Sequence, residues 1–293
     1  MKNFIIPYAF LLLSYFSARS ESNIETTQLA KNLYKIRVYS VNIVALVDSG
    51  GVVLSDAAFD DAGDLIEAEL EKLGYQHISC IINTHWHHDH CGGNKIWGEQ
   101  AKIIAHENVV EMLSTHRISE YWQEEYQPFP EHALPDVTFS NFLTLDFNNE
   151  QIELLHLPNG HTDCDIIVYF KNANVLHAGD LLFSESFPAV DFENGGNVEQ
   201  FAWNLQTIIE MTPPDVKIIA GHGPDFTREQ LIEYRDMMIS TIECIRREIE
   251  NGKSVDEMKK ADILKNWAKW EKGKFTREYW IEMICNCMKC YER

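Results

Sequence analysis

Apolar and polar positions alternate along residues 32–55, and "DSGG" at Asp48–Gly51 divides the stretch into two runs. Alternation is the period of a strand, and the turn residues between the runs predict a hairpin. In "DDAGDLIEAELEKLG" the period changes. Leu65, Ile66, Leu70 and Leu73 have helical spacing, with Asp60 or Asp61 as N-cap and Gly74 as the stop. "HISCIINT" (77–84) is then a short apolar strand. Strands that pass to a helix and back to a strand predict a layered α/β structure.

Residues 102–156 mix short strands with a helix around Glu107–Thr115, and 121–135, rich in aromatic, acidic and Pro residues, reads as a loop. Further strands are predicted at 151–157, 165–170 and 174–178. "NVEQFAWNLQTIIE" is a helix stopped by Pro213-Pro214, and "VKIIAGHG" is a strand that runs into a glycine-bounded turn. From Thr227 the pattern is helical almost to the end, with "ENGKSVDE" as a turn between helices.

The N-terminus has a different pattern. Lys2, the apolar run Phe4–Phe16 and "SARS" have the order of a secretory signal peptide, here 1–20. The run is too short for a comfortable membrane span, so the mature chain is predicted to have none and to be periplasmic or secreted. The expected organisation is one large domain at 21–250 and a helical extension at 251–293 packed on it. The 293 residues carry a formal charge of −20, and losing Lys2 and Arg19 with the signal would leave −22. Such a surface repels nucleic acid, and the acidity otherwise speaks to solubility and not to function. Seven cysteines are an odd number, so export would still leave one without an intramolecular partner. "CNCMKC" at the C-terminus, three thiols with no fourth nearby, reads as a local disulfide or free thiols.

Candidate chemistry gathers where apolar runs end. In "THWHHDH" the side chains of His85 and His87, two apart in extended backbone, point the same way and converge on one ion. Asp89 and His90 follow, where the chain turns through Gly92-Gly93, and can serve a second ion beside the first. His88 should point away. "LPNGHTDCD" presents His161 in a tight turn, "NVLHAGDLLF" ends a strand at Asp180, and "VKIIAGHG" ends one at His222. A carboxylate such as Asp180 can bridge two cations. Imidazole and carboxylate are ligands that zinc takes readily. Ligands at strand ends meet at one edge of a core.

These motifs, in this order and approximate spacing, resemble those of the metallo-β-lactamase-fold hydrolases over about residues 30–235. The resemblance implies a four-layer αβ/βα sandwich with two zinc ions at one edge of its sheets. It implies that His85, His87 and His161 hold one zinc, that Asp89, His90 and His222 hold the other, and that Asp180 bridges them. Asp180 is similar to the bridging aspartate of glyoxalase-II-like hydrolases, whereas the histidine set also resembles lactamases without a cysteine ligand. Cys91 and Cys164 do not match that cysteine's place and read as small buried residues. The implied reaction is zinc-dependent hydrolysis of a carbonyl-type bond of a small molecule, in a β-lactam first, or a lactone, ester or thioester, with Asp89 or a metal-bound water assisting protonation of the leaving group. The alternative is a zinc-binding accessory protein without useful turnover. Asp56 is expected to hold a ligand or its loop, His106 to cap a helix, and Asn194-Gly195-Gly196 to shape a loop near the site. Tyr121, Trp122, Tyr126 and Phe129 either wall a substrate groove or pack locally.

Overall fold

The computed structural model describes residues 24–75 and 77–291, and the expected signal peptide lies outside them. Alternating residues build a seven-stranded sheet. It contains β1 (Ile24–Ala30), β2 (Leu33–Val38), β3 (Val41–Asp48), β4 (Gly51–Ser55), β5 (Ile78–Ile82) and β6 (Lys102–His106). After a separate hairpin, β7 (Arg117–Ser119) and β8 (Glu124–Tyr126), it is completed by β9 (Val137–Phe139). The second sheet runs β10 (Phe142–Phe147), β11 (Glu150–His156), β12 (Ile166–Phe170), β13 (Val175–His177) and β14 (Lys217–Ile219). Strands β4, β5, β6 and β9 are mutually parallel, as are β13 and β14. Their carboxyl ends carry the chemistry.

The predicted hairpin is β3–β4, with Asp48 opposite Gly51. In β3 the alternation sends Ile43 and Ala45 to one face and Val44 and Leu46 to the other. The first pair packs with Ile66 and Leu70 of helix α1 (Gly63–Lys72). The second meets Ile152, Leu154, Val168 and Phe170 of the other sheet. The far face of that sheet, with Ile167, Tyr169, Leu176 and Ile218, is covered by helices. Three apolar interfaces therefore separate four layers, helix–sheet–sheet–helix, as the resemblance implied.

Short helices α2 (His88–Cys91), α3 (Asn94–Trp97) and α4 (Asn108–Ser114) follow β5 and β6. The covering layer is α5 (Val198–Met211) and α6 (Arg228–Glu250), followed by α7 (Val255–Lys260) and α8 (Arg277–Tyr291). Asn197 caps α5, its side chain accepting from the amides of Glu199 and Gln200. Trp280, Ile281 and Ile284 of α8 join Leu231, Met238 and Ile242 of α6 in one apolar cluster, and Trp280 Nε1 donates to Thr241 Oγ1 at 2.9 Å. The C-terminal helices are thus packed on the sandwich.

Some expectations fail locally. Neither Asp60 nor Asp61 caps α1. They lie in a single 3₁₀ turn before it, and Asp60 approaches His88 and Lys95 instead. The strand expected at 216–223 pairs only over Lys217–Ile219, because the chain bends to present His222. The segment 121–135 includes β8. The helical tail is broken between α7 and α8, where Lys265–Trp270 form a 3₁₀ turn. Among the described residues no disulfide forms, and no helix is long and apolar enough to cross a membrane.

Candidate metal centre

The seven residues converge from both sheets. The run Thr84–Trp86 after β5 is bent rather than extended, His87 returns to extended backbone, and α2 carries Asp89 and His90. The β11–β12 loop brings His161, the turn after β13 brings Asp180, and the chain after β14 brings His222. The candidate ligand atoms fall into two groups, each within 4.8 Å: His85, His87, His161 and Asp180, then Asp89, His90 and His222.

In the first group His87 Nδ1 lies 3.1 Å from His85 Nε2 and 2.8 Å from His161 Nε2. In the second, His222 Nε2 lies 3.2 Å from Asp89 Oδ2, and His90 Nε2 lies 3.5 Å from it. Asp180 sits between the groups. Its Oδ1 is 3.1 Å from His90 Nε2 and 3.4 Å from His222 Nε2, and its Oδ2 is 3.6 Å from His161 Nε2. A Cβ at Gly221 would stand 2.2 Å from Asp180 Oδ1, so only glycine fits beside that carboxylate.

Each imidazole has an acceptor for its outer nitrogen. His85 Nδ1 donates to Thr84 Oγ1 (3.1 Å), and that hydroxyl donates to Asp56 Oδ2 (2.8 Å). His87 Nε2 donates to Asp191 Oδ2 (3.1 Å), and His90 Nδ1 to Asp56 Oδ2 (2.8 Å). His161 Nδ1 donates to the Ala189 carbonyl and His222 Nδ1 to the Ser40 carbonyl, both at 2.9 Å. With the protons outside, five lone pairs face inward toward two carboxylates. Lone pairs and carboxylates this close repel unless a cation or protons lie among them. Buried His90 Nε2 and Asp180 Oδ1 have no hydrogen-bond partner despite their proximity. This donor set fits a metal ion.

The electrostatics differ between the groups. Burial opposes charge on every imidazole. It prevails at His85, helped by His90 and His87, and holds His85 well below the usual histidine range. It also takes His161 down to about 4. At His90 and His222 the carboxylates outweigh burial, raising His90 well above its usual value and His222 to about 10. His87 is raised by Asp191 against the pull of burial. Burial alone would raise Asp89 and Asp180, but their imidazole partners hold both well below the usual carboxylate range.

The other expectations divide. His88 points away, its ring between Phe59 and Phe129. Asp56 holds His90 from a left-handed backbone, φ 65°, a strained conformation for a non-glycine residue. His106 Nδ1 accepts from the Asn108 amide at the start of α4. Cys91 and Cys164 are buried with Trp86, Val109 and Leu113. Asn194 Nδ2 donates to both oxygens of Asp191, at 3.1 and 2.9 Å, so its loop supports His87 indirectly. Tyr126 packs on Trp86, which packs on His87.

Sequence reasoning missed Asp191, Asn42 and His177. Asn42 Nδ2 donates to the Ala220 and Gly223 carbonyls at 2.8 Å, and its amide donates to Gly221 at 2.8 Å, which clamps the His222 loop. A polar residue inside the apolar run "VNIVALV" was its one signal. His177 Nδ1 accepts from Ser55 Oγ at 2.8 Å, fully buried beside Asp56. Asp191 stands three residues before the loop that was singled out.

A family model described as "Metallo-beta-lactamase superfamily" matches residues 36–223, more than half of the chain. The chain belongs to this superfamily. It is 27% identical over 199 residues to a metallo-beta-lactamase type 2 of Bacillus cereus, covering 67% of this chain and 72% of that one. It is 30% identical over 159 residues to a hydroxyacylglutathione hydrolase of Pelagibacter ubique, covering 52% and 54%. A metallo-beta-lactamase structure from Pontibacter korlensis superposes with a TM-score of 0.59 at 18% identity, covering 73% of this chain and 98% of that one. That likeness shows the shared sandwich. As a member of the superfamily with a His/Asp metal cluster, the protein is a metal-dependent hydrolase.

Proposed function

We propose that the protein is a two-zinc hydrolase that opens a carbonyl-type bond of a small molecule, with β-lactams the leading substrate class. One observation carries the two-metal reading. The oxygens of Asp180 face different groups, Oδ2 toward His161 and Oδ1 toward His90 and His222. In this reading His85, His87 and His161 hold one zinc, Asp89, His90 and His222 hold the other, and Asp180 is shared.

Zinc supplies Lewis acidity, which brings the pKa of bound water to about 7 and polarises a carbonyl. The chain's residues do the rest. The outer hydrogen bonds fix each imidazole with its lone pair inward. The deep group is shut from solvent by burial of His85 and His161. Asp89 is 24% exposed against 6% for Asp180, so a proton for the leaving group passes through Asp89.

The likeness to the Bacillus cereus lactamase supports β-lactams. A second reading, thioester or lactone hydrolysis, is favoured by the likeness to a hydroxyacylglutathione hydrolase and by a carboxylate at the shared position. Hydrolysis of a chromogenic cephalosporin by zinc-loaded protein separates the two. Turnover that is lost in Asp89→Asn supports the lactamase reading. No turnover, in protein carrying two zincs, transfers the assignment to thioesters and lactones.

A further inference from the structure

The family match stops at residue 223, yet the chain beyond it returns to the metal-binding edge. Phe183 follows the turn that presents Asp180, and its backbone bridges His222. Its ring lies nearly parallel to the His222 ring, 5.5 Å away at 17°, and 5.7 Å from that of His161. Phe183 is buried, and one ring covering it is Phe275 of the extension, 5.9 Å away. Tyr279 lies against Phe275 at 5.3 Å, and Trp122 of the β7–β8 turn lies 6.4 Å from Tyr279. The row of rings thus begins on two candidate metal ligands and crosses the extension to a separate hairpin.

Both ends of the row are anchored. The hairpin is tied to the loop that holds Asp191, because Ser119 Oγ and the amides of Glu120 and Tyr121 donate to the Glu193 carboxylate. The extension is tied by Trp280, stacked on Phe187 and bonded to α6. Lys274 Nζ stands 5.4 Å over the Trp122 ring and 5.5 Å over the Phe275 ring, a cation–π brace across the junction. Phe275 itself is only half-buried, whereas Phe183 beneath it is covered. An apolar ring left accessible in a braced wall beside polar ligands is the composition of a small-molecule site.

We propose that Phe275 is a specificity-determining residue that completes an apolar wall beside the metal centre and favours substrates whose acyl group carries an aromatic ring. The proposal rests on the hydrolase reading above. Hydrolysis adds water across the acyl bond: an open ester or thioester gives a carboxylic acid and the protonated leaving group, and a β-lactam or lactone gives one product that carries both. Every product bears a carboxyl group, so carboxylic acids of different size report on the wall without turnover.

The test is calorimetric titration of the zinc-loaded full chain with phenylacetate and with acetate. The wild type is expected to bind phenylacetate about fivefold more tightly, the size of one aromatic contact. Phe275→Ala is expected to bring the ratio near unity, with zinc content and unfolding midpoint recorded alongside. Phe275→Leu, which keeps apolar volume without a ring, is expected to give an intermediate ratio and serves alone if the alanine variant does not fold. An unchanged ratio in these variants, or no preference in the wild type, overturns the proposal while leaving the hydrolase reading standing. Binding of neither acid to protein that carries two zincs also overturns the proposal, while the hydrolase reading is tested separately by turnover.

Discussion

The two halves of the metal centre are built on opposite principles. The group His85, His87 and His161 is made of imidazoles, two of them buried and held neutral by that burial. The group Asp89, His90 and His222 is laced with carboxylates that pull its imidazoles toward the charged form. Exposure follows the divide only in part: His222 and Asp89 are 22% and 24% exposed, but His90 beside them is 0%, and in the first group His87 is 16% and His161 3% exposed. In the deep half His85 and His161 are ready for a cation at neutral pH, and only His87, raised by Asp191, is pulled toward the charged form. The open half must give up protons first, and it reaches solvent through His222 and Asp89. Asp180 lies between them, and in the proposed two-zinc reading it lets two differently prepared sites act on one bond.

The comparison breaks most visibly if the shared carboxylate is removed. Asp180→Ala should lower turnover about 100-fold or more, about 2.7 kcal/mol of transition-state stabilisation. It should also weaken metal binding in both halves, as read by chelator competition. Loss from one half alone would show that Asp180 is not shared. Asp89→Asn is confined to the open half. It should weaken the second zinc and lower turnover at least about tenfold, on the order of 1.4 kcal/mol. Unchanged turnover in the zinc-loaded variant would remove Asp89 from the mechanism.

The supporting residues sharpen the comparison. Asp56→Asn should reduce affinity for the second zinc about 10- to 100-fold, the usual range for a partner of a ligating histidine. Asp191→Asn should act on the first zinc instead. Asp56 also reaches His85 through Thr84, so the assignment of halves would be wrong if Asp191→Asn weakened the second zinc, or if Asp56→Asn weakened the first more than the second. The smallest effect is a proton count. With His222 raised to about 10 and His90 raised as well, the metal-free open half carries protons at pH 7. Metal must displace them, so affinity there should fall as pH falls. In the first group His85 and His161, held low, add none, which leaves only His87, raised by Asp191, to add one. Calorimetry in buffers of different ionisation enthalpy should therefore find more protons released by the second zinc than by the first.

The chain states the ligands more openly than it states their supports. His85, His161, Asp180 and His222 each stand just beyond an apolar run, and such positions fall at the sheet edge whatever the details of packing. A layered α/β structure was legible in the passage from strands to a helix and back to a strand, and the four layers were implied by the resemblance; that β3, β4 and β12 are buried on both faces emerged only from the structure. The acceptors were not legible. The Ser40 and Ala189 carbonyls are backbone groups with no signature in residue type. Asp191 and Asn42 act across 104 and 178 positions of sequence, distances that only the fold closes. Phe275 belongs with them. Its aromatic neighbourhood in the tail was visible, but its approach to Phe183 depends on how the extension crosses the sandwich.

The most direct measurement is the zinc content of purified, zinc-loaded protein by mass spectrometry, with Asp89→Asn beside it. The account predicts two zincs per chain in the wild type and one in the variant after mild chelation, because the deep half keeps its imidazoles. A single zinc in the wild type, or equal loss of both in the variant, would contradict a centre built from two distinct halves.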